Sequence, residues 1–282
     1  MGFIARVIVV AFVTVVGDPR VGDMPTDPLG QAQAALAQGK AQAALELAGK
    51  AIADNAGNVP ALLFRGGLLG SLGRHEEAAA DFTKIIVVDP KNADAYNRRG
   101  AEQFKLGRIA ESIGDFDKYL LLKPGDTAGH WMRGIAYYYA GRYEEGRRQF
   151  AVYEQVDTND VENAVWHYLC NAHLIGTEKA RAALLKIGRD RRAPMMEVYA
   201  LFGGKARPAD VLAAAGAAEV AQRAQASFLA HLYLGLYYES AGDEPKMLKH
   251  MKQAADARMG GYMGDVARVH LMVRRTKRPQ KS

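Results

Sequence analysis

Four glycines, Gly39, Gly73, Gly107 and Gly141, stand 34 residues apart without a slip. The same interval separates Gly66, Gly100 and Gly134, then Phe82, Phe116 and Phe150, and finally Pro90 and Pro124. Four ladders in one register constrain the chain severely. It must be built from copies of one supersecondary unit, and a unit of that size cannot bury its apolar face alone, so the copies must stack.

The physics of each ladder is separable. Glycine inside a helix costs about 1 kcal/mol against alanine, so a glycine recurring at unit position 8 marks a place where a side chain would strike the partner helix. The glycine at position 15 ends the first helix of the unit and opens the turn. Phenylalanine at position 24 sits on the second helix and fills the space between units, and proline at position 32 stops that helix. This order of markers resembles the tetratricopeptide repeat, a helix-turn-helix unit, and the resemblance implies an all-α, right-handed superhelix. The units fall at about 25–58, 59–92, 93–126 and 127–160, the second reading "VPALLFRGGLLGSLGRHEEAAADFTKIIVVDPK". The first keeps Gly39 and Ala44 but lacks the aromatics, as expected of a terminal cap.

Beyond residue 160 the pattern erodes. "VENAVWHYLCNAHL" keeps helical spacing at Val165, Tyr168, Leu169 and His173, and "TEKARAALLKIG" reads as its antiparallel partner, but the marker glycines are gone from 161–227. The motif returns over 228–274, where Gly235 and Gly242 stand seven apart and a closing helix is predicted at about 262–274. The lone cysteine, Cys170, lies in an apolar helical context and reads as a buried thiol.

The two termini carry separate signals. An apolar run from Val7 to Val16 follows Arg6, and Val15 and Gly17 are small enough for a signal-peptidase site, so residues 1–24 read as a signal peptide or N-terminal anchor with a linker. An exported or periplasmic protein is expected on that reading, a cytoplasmic one if the run is not a signal, and membrane attachment only if it stays uncleaved. The formal charge of +6 is concentrated at the other end, where Arg274, Arg275, Lys277, Arg278 and Lys281 lead into a basic tail at 275–282 predicted to be disordered. A nucleic-acid function would rest on that tail alone.

Chemistry-bearing patterns are missing. None of the seven histidines forms HExxH, no GxSxG elbow occurs, and "RGGLLGSLG" places its glycines at helical unit positions without the GK[ST] of a phosphate loop. No enzyme activity, metal, cofactor or small-molecule substrate is expected. Arg65, Arg99 and Arg133 also keep the 34-residue interval; Asp81 and Asp115 repeat with them and are expected to pair with the first two, while Gln149 leaves Arg133 the freer.

The succession of tetratricopeptide units, "AVWHYLC", an irregular segment, "FLAHLYLGLYYESAGD" and a closing helix is similar to the NlpI-type tetratricopeptide lipoproteins of bacterial envelopes. Members of that family are dimeric adaptors that gather peptidoglycan hydrolases and a tail-specific periplasmic protease. The resemblance therefore implies a non-catalytic scaffold with protein partners and a homodimeric state. Two departures stand out: no lipid-bearing cysteine follows the apolar run, and the tail here is basic. A cytoplasmic assembly or chaperone-like factor is the alternative function, although the lysine and asparagine of a carboxylate clamp are absent at Leu63, Gly67 and Ala101.

In tetratricopeptide proteins the first helices of the units line a concave wall. The residues this places on the wall, and expected to contact a protein partner, are Asn97, Phe104, Lys105, Trp131, Ile135, Tyr138 and Tyr139. Aromatic side chains there would anchor a partner, since they bury much area at little entropic cost. The open alternative is that the C-terminal helices fold back over Trp131 and Tyr138.

Overall fold

The computed structural model describes residues 27–276; the apolar run at 7–16 and the tail from 277 lie outside the described residues. Every period of the glycine ladder becomes an antiparallel helix pair. The pairs are α1 (Pro28–Ala37) with α2 (Ala41–Asp54), α3 (Val59–Ser71) with α4 (His75–Val88), α5 (Ala93–Lys105) with α6 (Ile109–Leu122), and α7 (Trp131–Ala140) with α8 (Tyr143–Tyr153). Gly39, Gly73, Gly107 and Gly141 close the first helix of each pair with φ between +75° and +78°, the left-handed conformation that only glycine enters cheaply. A Cβ placed on Gly66, Gly100 or Gly134 would lie 2.8, 2.8 and 2.7 Å from the rings of Phe82, Phe116 and Phe150. The two ladders are therefore one contact, repeated: glycine on the first helix, aromatic ring pressed against it from the second.

Side-chain caps and ion pairs repeat as well. Asn58 and Asn92 each accept a hydrogen bond from the backbone N–H three residues on, at 3.1 Å, which satisfies one of the orphan donors at the helix start. Arg65 and Arg99 bind Asp81 and Asp115 through two nitrogens each, at 2.7–2.8 Å. Arg133 is not the freer member of the series: Gln149 accepts from it at 2.7 Å and Asp117 at 2.9 Å.

The fourth unit departs from its expected start. Position 126, which aligns with the capping Asn58 and Asn92, is Asp126, and its carboxylate accepts a short hydrogen bond from the Tyr119 hydroxyl instead of capping a helix. Residues Pro124–Asp126 form a single 3-10 turn, and α7 begins only at Trp131, where His130 Nδ1 accepts from the Arg133 backbone N–H at 3.2 Å. The fourth unit has lost the first turn of its first helix.

The chain continues through α9 (Val161–Ile175), α10 (Thr177–Ala182), α11 (Met195–Phe202), α12 (Pro208–Gly216), α13 (Arg223–Ser240), α14 (Glu244–Asp256) and α15 (Tyr262–Thr276). The helix expected to run antiparallel to α9 through "TEKARAALLKIG" is cut to the six residues of α10. Past it the chain is strapped across the start of α9. The Gly188 N–H donates to the Thr158 carbonyl at 2.9 Å, the Arg189 N–H donates to Asn159 Oδ1 at 3.0 Å, and Arg192 binds Asp160, Glu162 and Asp190 together. These side chains hold extended backbone where the local sequence favours helix.

Burial divides into two clusters. Ala44, Leu62, Phe82 and Ile85 centre one within the first two units, and a larger one runs from Phe104 through α9 and α13 to Val269. The larger cluster therefore contains both the third and fourth units and the last helix, α15.

Candidate protein-binding groove

The concave wall of the third and fourth units is not empty. α15 lies in it, in contact with α5 as well as with its sequence neighbour α14. Its first residue, Tyr262, stacks on Phe104 with ring centroids 4.8 Å apart and meets Trp131 edge-on at 5.3 Å. One turn later Asp265 approaches His75 Nε2 at 3.8 Å and Lys105 Nζ at 3.9 Å, with Arg268 of its own helix paired to it. Further along, the Tyr139 hydroxyl lies 3.1 Å from His270 Nδ1, and at the far end Arg274 binds Glu239 of α13. Arg274 thus belongs to a helix and has a partner, and is not part of a free basic tail.

Five of the seven expected wall residues are consequently closed off. Phe104, Ile135, Tyr138 and Tyr139 are at most 3% exposed, and Lys105 is held by Glu102 at 2.7 Å beside Asp265. Tyr138 donates to Glu239 at 2.7 Å and packs edge-on against Trp166 at 5.3 Å, so it is a core residue. Burial pushes the hydroxyls of Tyr138 and Tyr139 well above the usual phenol range, reinforced by the Glu239 charge, and both stay protonated donors. His270, fully buried, is lowered to about 4 by desolvation and is neutral at ordinary pH. The flat part of the wall also has an internal purpose: the Glu102 carboxylate lies over Gly70, 2.9 Å from where its Cβ would stand, and accepts from Lys105 while contacting His75 at 2.6 Å.

Asn97 and Trp131 have a different fate. Both are half-buried and line an open hollow of about 410 Å³ left where α7 lacks its first turn. Tyr119, His130, Met132 and Val156 line it as well, together with Asp126 and the turn that follows it. Asn97 Oδ1 accepts from His130 Nε2 at 3.0 Å while His130 Nδ1 caps α7, which fixes one neutral tautomer. Burial and the neighbouring Arg133 lower His130 to about 4, so the arrangement keeps that tautomer above mildly acidic pH. Val156, 55% exposed at the rim, presents bare apolar surface. Tyr119, Met132 and Val156 were not among the expected wall residues, because the missing turn that brings them together follows from the Asp126–Tyr119 contact and not from the 34-residue register.

A tetratricopeptide-repeat family profile matches residues 29–93 and again 68–128, the segment built of the first three helix pairs. The fold is similar to that of a tetratricopeptide repeat protein from Parabacteroides merdae ATCC 43184, with a TM-score of 0.57 at 14% identity, covering 86% of this chain and 97% of that one. This is a tetratricopeptide-repeat superhelix. MamA from Desulfovibrio magneticus RS-1, residues 41 to the end, is similar over 57% of this chain and 92% of its own length, with 18% identity and a TM-score of 0.52. At these identities the likenesses establish the fold. A comparison with curated protein sequences finds no match. Among the described residues no group of three His, Cys, Asp or Glu side chains is placed to hold a metal ion, and no helix is long and apolar enough to cross a membrane. Cys170 is buried and its thiol is pushed up by desolvation, which opposes thiolate formation.

Proposed function

We propose that the protein is a non-catalytic scaffold that holds a segment of a protein partner on its tetratricopeptide units, entered through the hollow beside Trp131. The hollow is the observation that carries this reading. It combines an indole, a phenol, a thioether and an exposed valine with the Asn97–His130 pair, the mixture of apolar anchors and oriented polar groups that protein recognition uses. The apolar run at Val7–Val16, together with the order of segments shared with NlpI-type lipoproteins, supports an exported or periplasmic scaffold. Cell-wall hydrolases or a periplasmic protease are the partner classes to test first.

A charge at the rim separates this from a passive depression. Val156→Glu should abolish capture of the partner by immobilised full-length protein, whereas Val87→Glu, at a comparably exposed apolar site outside the hollow, should not. Equal capture by both variants would sink the assignment. N-terminal sequencing of the mature protein tests export: a start near residue 18 supports it, and retention of residues 1–17 in a cytoplasmic fraction overturns it.

A further inference from the structure

The groove of the third and fourth units already displays its mode of recognition, because it holds a helix. α15 meets the wall through a single stripe: an aromatic at 262, a carboxylate at 265, small and branched residues at 266, 267 and 269, an imidazole at 270 and a guanidinium at 274. Those positions recur at three- and four-residue steps, the spacing of one helix face. Each has its own receptor. Phe104 and Trp131 bracket the aromatic, His75 and Lys105 face the carboxylate, Tyr139 reaches the imidazole, and Glu239 binds the guanidinium.

Two features bear on how this contact is held. Its polar groups are incompletely satisfied: the Tyr262 hydroxyl is buried without a hydrogen-bond partner, as are Ser112 Oγ, Asn163 Oδ1 and the Trp166 indole N–H elsewhere, and His270 Nε2 reaches only Glu239, at 3.8 Å. And α15 is joined to α14 by a short hinge in which Arg258 has φ +48° and Gly261 φ +85°, with Gly260 between them. A helix docked by charge clasps at both ends and tethered by such a hinge has the construction of a ligand held in cis.

We propose that α15 is a resident occupant of the tetratricopeptide groove, exchangeable for a helix from a partner protein that carries the same stripe of aromatic, acid, small residues and terminal arginine. The proposal rests on the scaffold reading above and specifies its regulation: the partner must displace α15 to gain the full groove. A tethered helix meets its site at an effective concentration on the order of millimolar, so a free helix competes poorly until the tethered one is loosened. The apparent affinity of an incoming helix is reduced by the fraction of molecules with the groove open.

The test uses full-length protein and a fluorescently labelled synthetic peptide of residues 261–276. Wild type is expected to bind it weakly. The variant Asp265→Asn with Arg274→Ala, which removes both clasps, should bind at least tenfold more tightly in an anisotropy titration, and a peptide carrying Tyr262→Ala should lose that gain. No gain in the loosened variant, or equal binding of the altered peptide, overturns the proposal. Should the double variant lose its helical circular dichroism, hydrogen exchange on wild type decides. Amides of α15 exchanging well ahead of those of α5 and α7 support a displaceable helix, and exchange only with global unfolding overturns it. A loosened variant that dimerises without taking up peptide would assign the groove to a second copy of the chain and overturn the partner assignment. Failure here with Val156→Glu still blocking capture would leave the scaffold standing and remove only the exchange.

Discussion

Gly100 and Gly114 lie one helix apart in the same unit and have opposite roles. A Cβ at Gly100 would stand 2.8 Å from the Phe116 ring and 3.1 Å from Asp115 Cβ, whereas one at Gly114, on the exposed side of α6, would meet nothing within 4 Å. Alanine gains about 1 kcal/mol of helix propensity at either site. At Gly100 that gain is outweighed by overpacking of about 1–3 kcal/mol, because the ring is pinned between helices and cannot retreat. Chemical denaturation should therefore show Gly100→Ala losing up to about 2 kcal/mol and Gly114→Ala gaining up to about 1 kcal/mol. The distinction is legible in the sequence: Gly100 belongs to the ladder with Gly66 and Gly134, while the counterparts of Gly114 are Ala80 and Arg148. Residues in register announced their packing; Tyr138 and Tyr139 did not. Neither tyrosine had a repeat partner, and both were left for binding, because the groups that claim them, Glu239 and His270, lie 101 and 131 residues further along the chain.

Between α10 and α11 an arginine does the work that helical hydrogen bonds do elsewhere. Arg192 is the only cation bound to Asp160, Glu162 and Asp190 among the described residues, and Tyr233 of α13 donates to Glu162 at 2.5 Å. Burial first, then the Glu162 charge, raise Asp160 above the ordinary carboxylate range even with Arg192 present. A carboxyl whose folded pKa is raised stabilises the fold below its unfolded pKa and loses that contribution as pH rises. Arg192→Ala would remove the only countercharge this cluster has among the described residues and raise Asp160 further. We expect a loss of about 3–5 kcal/mol in denaturant unfolding, greater at pH 8 than at pH 5. An equal loss at both values would show that Arg192 acts by packing alone. The first three helix pairs could be read from spacing because each is specified by contacts within about one period. The shortened α7, the truncated α10 and the placement of α15 could not, since each depends on a side chain that overrides local preference: Asp126 taken by Tyr119, Arg192 gathering three acids, Asp265 between His75 and Lys105.

Over the whole molecule, buried histidines set the response to acid. His130, His167, His250 and His270 are each lowered to about 4, chiefly by burial, so the folded state binds their protons less readily than the unfolded chain, whose histidines titrate near 6.5. Their contribution is fully present above pH 6.5 and is lost as pH falls toward 4, on the order of 2 kcal/mol each at pH 5. The thermal midpoint should fall steeply across that window, and His130→Asn, which retains a capping acceptor like that of Asn58 and Asn92, should flatten the slope by about a quarter. A midpoint that stays level down to pH 4.5 would contradict the burial of these rings. The return of α15 onto α4 and α5 also bears on how the chain reaches this state. An open array of repeats touches only nearest neighbours, so it folds from any nucleus and frays from either end. Here Asp265 meets His75 and Lys105, joining the two ends of most of the array and raising the contact order well above that of a linear solenoid. Completion of the groove of the third and fourth units must wait for the last helix to be synthesised and docked, and α15 is expected to open ahead of the units it rests on.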